Sequence, residues 1–218
     1  MRYREGLTDY VNNQLRFFGG ENDVTQYDVE EALKKSEPCF KNSPNKYFYD
    51  GEELVFNETN SIQYTIFLWN LSKHFSVNQK TDIADKVYYL NKMLNCVDWY
   101  HGIDLPEVWG IEHPLGSILG RAKYSSGLFL YQGTTVGGSN DCYPTLGKNV
   151  LLYSNSSILG NCNIGNNVII SSGVKILDKD IPDNSLVFSK NDEIVIVRKD
   201  KQYIKQKMSN IWKDAMFD

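Results

Sequence analysis

From Leu146 onward a branched aliphatic residue recurs at every sixth position: Leu146, Leu152, Ile158, Ile164, Ile170 and Ile176. Three residues behind these stand Asn149, Asn155, Asn161, Asn167 and then Gly173, and one step further come Val150, Ser156, Cys162, Val168 and Val174. Neither the 3.6-residue helix period nor strand alternation gives a period of six. A hexapeptide repeat predicts a parallel β-helix. The branched aliphatic fills a narrow prism, and the small or β-branched residue four places on also points inward. Between them, Asn or Gly turns the corner, where φ is expected to be positive and these residue types are tolerated. Six residues then make one face and a corner, and eighteen make one triangular coil. The same period runs upstream through Ile118, Tyr124, Leu130 and Val136. Between Val136 and Leu146 ten residues stand in place of six, so part of the stretch 137–144 must leave the prism as a loop. A β-sandwich with Asn and Gly turns is the alternative, but its turn spacing is less regular.

The first half follows the helix period instead. Thr8 is expected to cap a helix carrying Val11 and Leu15, and Thr25 one that runs through Leu33 and ends at Pro38. Ser61 to His74 is apolar on most sides, the mark of a helix buried in a core or a subunit contact. Thr81 to Asn95 places Ile83, Val87, Leu90 and Leu94 at helical spacing. After Pro182, Glu193 to Arg198 reads as a strand, and Tyr203 to Met216 as an amphipathic helix. The fold class is therefore α+β. A helical domain (1–105) precedes a β-helix domain (106–189), and a strand and helix form the tail (190–218).

Composition narrows the class of function. An apolar share of 41% and a charged share of 23% are those of a soluble globular protein. A net charge of −4 argues against nucleic acid as a partner. No stretch is long and apolar enough for a signal peptide or a membrane span, so no membrane partner is expected. Cys39, Cys96, Cys142 and Cys162 lie far apart with no CxxC pair. That spacing suits reduced thiols in a cytoplasm and indicates no metal site.

Three runs carry a resemblance. His113-Pro114-Leu115-Gly116, Gln132-Gly133-Thr134-Thr135-Val136-Gly137-Gly138 and Tyr143-Pro144-Thr145-Leu146-Gly147 are similar to the corresponding stretch of bacterial serine acetyltransferases, as are Ile158-Leu159-Gly160-Asn161 and Ile164-Gly165. The likeness covers residues 104–188. It implies a left-handed parallel β-helix, acetyl-CoA as co-substrate, and a homotrimer or a multiple of one, with sites in the grooves between prisms. It also implies a histidine general base at the position of His113. Imidazole suits that task, because an alcohol attacks only as its proton is taken, and the proton then returns to the departing thiolate. The other histidines are His74, on the apolar helix, and His101, which has no motif around it.

A histidine base needs a carboxylate to orient it. Asp104 is the upstream candidate, or else it caps a turn before Pro106. In the resembling family the partner aspartate lies one hexapeptide farther upstream of its histidine, which a shortened prism face would explain. Glu112 matches a family aspartate that helps hold the acceptor. Gly137 and Gly138 permit close approach of backbone N–H groups to an oxyanion. Ser154 and Ser172 fall where the family uses small residues beside the pantetheine arm of CoA.

Two departures bear on the acceptor. The family's Arg-His-Pro loop reads Cys142-Tyr143-Pro144 here, which removes a charge-assisted partner for an amino-acid carboxylate worth roughly 1.5–3 kcal/mol. Arg121 or Lys123 are the residues available to compensate. The small residues that close the family's CoA groove are replaced by Val187-Phe188-Ser189-Lys190. Acetyl transfer to a serine-like hydroxyl is thus one expectation, with transfer to a hydroxyl or amine of a sugar or nucleotide sugar as its rival. A non-catalytic β-helix scaffold is a further alternative. A γ-type carbonic anhydrase shares the β-helix but needs three zinc-binding histidines near the intersubunit groove, and a His-rich repeat is absent here.

Overall fold

The computed structural model describes residues 1–19, 24–191 and 193–217. The helical unit comprises α1 (Leu7–Leu15), α2 (Gln26–Lys41), a short hairpin of β1 (Tyr49–Asp50) and β2 (Glu53–Leu54), α3 (Ser61–Val77) and α4 (Thr81–Asn95). Thr25 caps α2 as expected: its hydroxyl accepts from the Asp28 N–H while the Asp28 carboxylate accepts from the Thr25 N–H. Two expectations are corrected. The N-cap of α1 is Gly6 (φ 81°) rather than Thr8. Pro38 does not end α2 but sits in its last turn, and Asn42 follows the helix with its amide donating to the Pro38 carbonyl. The α3 helix is buried on most sides, as its sequence predicted, between α2 and α4.

Strands β3 (Asp98–Trp99), β4 (Trp109–Ile111), β5 (Ile118–Leu119), β6 (Leu128–Leu130), β7 (Thr135–Gly137), β8 (Thr145–Leu146), β9 (Val150–Leu152), β10 (Ser157–Leu159), β11 (Asn163–Ile164), β12 (Val168–Ile170), β13 (Lys175–Leu177) and β14 (Ser185–Lys190) wind a parallel solenoid. Its first face stacks β4, β6, β9, β12 and β14, and its second stacks β3, β5, β7, β10 and β13. The third holds β8 and β11, extended by the bridges Lys123–Thr145 and Ile164–Ile181. From Val136 to Ile176 the aliphatic column is buried, and Val150, Ser156, Cys162, Val168 and Val174 are buried beside it. The ladder already includes Asp98–Trp99, so the coil starts ahead of the boundary set at residue 106.

Two register expectations fail for local reasons. Ile118 faces outward and Leu119 fills the prism, because Leu119 pairs with Val136 while Ile118 pairs with Thr135. Positive φ occurs at Asn149 (54°), Asn155 (59°), Asn167 (55°) and Gly173 (74°), but at Gly160 (77°) in place of Asn161. The corner between the second and third faces turns one residue early, and the Asn161 N–H donates to the Asp178 carboxylate. Along the corner between the third and first faces, the Asn149 amide donates to the Asn167 side-chain oxygen (3.2 Å). The Asn167 amide in turn donates to that of Asn184 (2.9 Å). Gly127 ends this ladder, since a Cβ there would lie 2.1 Å from the Asn149 oxygen.

The extra residues after Val136 form a tight hairpin, with Ser139 and Cys142 exchanging backbone hydrogen bonds around Asn140 (φ 50°) and Asp141 (φ 58°). Strand β15 (Glu193–Arg198) folds back antiparallel on β14. The last helix, α5, is shorter than expected (Lys201–Lys207). Beyond it the chain turns, yet Ile204, Met208, Ile211 and Trp212 still share one cluster against Phe129, Leu151 and Ile169 on the outside of the first face. Trp69 of α3 meets Trp109 edge-on (centroids 5.6 Å apart), and Trp109 meets Trp99 (5.3 Å), which joins the helical unit to the first coil through aromatic packing.

Candidate functional site

His113 follows β4 at the corner between the first and second faces. Its φ of 52° belongs to the left-handed region, where a non-glycine residue is uncommon and marks a constrained turn. The corner is tied at both ends. The Glu112 N–H donates to the Leu130 carbonyl (2.8 Å), and the Gly116 N–H to the Cys96 carbonyl (2.8 Å). The imidazole is exposed and has no hydrogen-bond or ion-pair partner among the described residues. The other two histidines are both engaged. His74 Nε2 lies 2.9 Å from the Asp28 carboxylate. His101 is buried between the Ser76 hydroxyl and the Asp85 carboxylate, each at 2.9 Å. Among the described residues no group of three or more His, Cys, Asp or Glu side chains is placed to hold a metal ion.

His113 and Glu112 line a groove of about 460 Å³. Its other walls are the loop of Ser43, Asn45, Lys46 and Tyr47, the rings of Phe129 and Tyr131, and Asn210 with Ile211 of the tail. Tyr131 stacks on Tyr153 (5.1 Å, 23° between planes). Its phenol is pushed above the ordinary value by burial, with Tyr153 and the nearby Glu112 carboxylate adding to the effect. Farther along this corner come Ser154 and Ser172, whose hydroxyls lie 2.9 Å apart. The backbone connects them to the histidine corner: Gly133 N–H donates to Leu115, Asn155 to Gln132, and Gly173 to Ser154.

Gly137, Gly138 and Tyr143 stand at the next corner, between the second and third faces. A Cβ at Gly138 would lie 2.6 Å from the Tyr143 ring, so packing alone accounts for glycine there. Arg121 covers the Tyr143 ring (5.9 Å to the centroid), and a second groove of about 400 Å³ lies beside Arg121, Lys123 and Tyr143. Within one chain, therefore, the residues expected to form one site fall into two grooves on adjacent corners. A larger groove, about 650 Å³, runs between α2, α3 and residues 105–107, and contains none of them.

Asp104 is not joined to His113. Lys73 Nζ, held by the carbonyls of His101 (3.1 Å) and Ile103 (2.9 Å), captures its carboxylate at 2.6 Å. Asp98 was overlooked in the sequence. It stands one hexapeptide before Asp104, in the rung beneath β5, where its N–H donates to the Ser117 carbonyl (2.9 Å). Burial alone would raise its pKa, but Lys92 (2.7 Å) and the Tyr88 hydroxyl (2.6 Å) outweigh burial and hold it below the usual carboxylate value. The hexapeptide offset was the available signal. The loop at 43–47 and the tail at 210–211 reach the groove only through tertiary packing, and no local pattern marks them.

Residues 143–178 match the bacterial transferase hexapeptide (six repeats) family. The named relatives are serine acetyltransferases. That of Synechococcus elongatus is 31% identical over 120 residues, covering 52% of this chain and 49% of the relative. The chain thus spans about half the length of this curated relative. Among solved structures, serine acetyltransferase of Neisseria gonorrhoeae superposes with a TM-score of 0.68 at 20% identity, over 93% of this chain and 84% of that one. A serine acetyltransferase in complex with CoA gives 0.60 at 14% identity, over 76% and 70%. At these identities the structures establish the shared fold: a helical N-terminal region followed by a parallel β-solenoid.

Proposed function

We propose that this chain is an acetyl-CoA-dependent O-acetyltransferase of the serine acetyltransferase type, with His113 as general base. The observation that carries the reading is an imidazole without protein partners, held by a constrained corner on the wall of a groove in a hexapeptide solenoid. His113 takes the proton of the acceptor hydroxyl as that oxygen attacks the acetyl carbonyl. It returns the proton to the sulfur as the C–S bond breaks, so the products are the acetyl ester and free CoA. Ser154 and Ser172 keep their corner low for the pantetheine arm. Gly137 and Gly138 lie on the other corner, which suits a homotrimer in which one prism supplies the histidine and its neighbour the hairpin of Tyr143.

In this reading Asp98, one hexapeptide upstream of Asp104, is the stronger candidate for the orienting role by its offset from His113. To fill it the carboxylate would exchange its bonds to Lys92 and Tyr88 for the imidazole. Because β3 already belongs to the solenoid, the family's spacing between aspartate and histidine is kept with no shortened face. The test is release of free thiol from acetyl-CoA with a panel of hydroxyl acceptors. His113→Ala should lower kcat by about 10²–10⁴-fold with CoA affinity unchanged. Asp98→Asn should lower kcat less and shift the pH profile, while Asp104→Asn should leave both alone. A rate unaffected in His113→Ala would overturn the mechanism.

A further inference from the structure

The walls of the His113 groove bear on the identity of the acceptor. The tail is fixed there: the Lys213 N–H donates to the Asn42 carbonyl (2.8 Å), and Lys213 Nζ to the Tyr49 hydroxyl (2.9 Å). These bonds and the Trp212 packing fix the tail that carries Asn210 on the same groove as the loop of Tyr47. Among the described residues, the Glu112 carboxylate, the Tyr131 hydroxyl and the Asn210 carboxamide make no side-chain hydrogen bond. The groove therefore presents unused donors and acceptors together around the imidazole, beside the aromatic faces of Tyr131 and Tyr47.

That combination matches one ligand chemistry. A pyranose offers an apolar C–H face to an aromatic ring and a rim of hydroxyls that both donate and accept. An amino acid such as serine asks for something different, a cationic fork for its carboxylate. The groove has one ammonium, Lys46, already drawn over the Tyr47 ring at 5.2 Å. At position 143 a tyrosine stands under Arg121.

We propose that the acceptor is a sugar. Tyr131 is the stacking platform, Asn210 and Glu112 bond its hydroxyls, and the hydroxyl to be acetylated faces His113. This rests on His113 being the base of an acetyltransferase.

The experiment pairs binding with transfer on the full chain. Saturation-transfer NMR is recorded with methyl β-D-galactopyranoside, methyl α-D-glucopyranoside, N-acetylglucosamine and the two UDP-sugars of galactose and N-acetylglucosamine. Thiol release is measured with the same compounds and with L-serine. The expected result is saturation of at least one pyranose and a kcat/KM for it above that for L-serine. Tyr131→Ala should weaken its binding by about tenfold, as loss of an aromatic contact predicts. Asn210→Ala, a surface change with no folding role, should raise KM for the sugar while leaving KM for acetyl-CoA unchanged. A UDP-sugar bound better than its methyl glycoside supports the proposal and assigns a nucleotide carrier. Preference for L-serine, or no saturation of any pyranose, overturns the sugar proposal and leaves the acetyltransferase standing. Pyranose binding with full transfer retained in His113→Ala leaves the sugar acceptor standing and overturns His113 as the base.

Discussion

The two ends of the solenoid obey different rules. From Leu146 to Val187 the coils repeat: the interior column is fully apolar, the left-handed corners fall on Asn, Gly or Asp, and asparagines bond to asparagines along one edge. The coils from Asp98 to Leu130 do not. Trp99 and Trp109 put large rings at the inward positions of the first coil, in register with Leu119 and Leu128, β5 slips by one residue, and positive φ falls on His113 as well as on Gly116 and Gly127. Repetition satisfies every backbone group cheaply, and it also hides side chains in a uniform wall. The irregular end is where a side chain is held without a partner, and partnerless side chains are what a reaction needs.

This contrast can be broken or sharpened by mutation. The largest expected effect is at the irregular end: His113→Asn keeps a residue that accepts a φ of 52°. It should abolish about 10²–10⁴-fold of the thiol-release rate with the thermal midpoint unchanged. A fall in the midpoint equal to that of a core variant would mean that the corner is structural. Next comes Ile158→Ala, fully buried in the regular coils, expected to lose about 2–5 kcal/mol in urea unfolding. Ile118→Ala, the outward residue of β5, should stay within about 1 kcal/mol. Equal losses would restore Ile118 to the interior column.

Smaller still is Asn167→Val, which forces a β-branched residue to φ 55° and cuts the asparagine ladder. About 1–2 kcal/mol is expected, against about 0.5 kcal/mol or less for Asn161→Val, where φ is not positive. The smallest effect is in acid. Asp28 is held below the ordinary carboxylate value, as its bonds to Thr25 and His74 outweigh burial, and Asp98 is held down by Lys92 and Tyr88. A depressed carboxylate stabilises the fold fully above its unfolded value, about pH 4, and loses that contribution as pH falls through its folded value. Stability should therefore be flat near neutrality and drop below about pH 4, with a shallower drop in Asp28→Asn.

The regular end was legible from sequence because its information is local. Each hexapeptide states its own inward residue and its own turn, and the capping box at Thr25 was legible for the same reason. The two slips, at Ile118 and Asn161, occur where a coil gains or shifts one residue at a corner, and period counting cannot see which of two neighbours is turned inward. The candidate site residues were legible only as far as the repeat places them. His113, Glu112, Ser154 and Ser172 fall on one corner because they sit at related places in the repeat. Asp104 is separated from His113 because Lys73, far off in α3, decides where its carboxylate goes. Asn210 and the loop of Tyr47 meet the groove through aromatic and apolar packing between segments far apart in the chain, which no periodicity encodes.

The hairpin of β14 and β15 has a consequence for how many coils the molecule can have. A parallel stack ends in a row of unpaired N–H and C=O groups, an open template on which another chain can add rungs without limit. On the first face the chain reverses after Lys190 and lays β15 antiparallel along that edge, from Glu193 against Lys190 to Arg198 against Ser185. The next parallel rung would need the groups that β15 already uses. A further parallel rung is blocked on that face by a change of strand direction, so the coil count there is set by the chain's own hairpin.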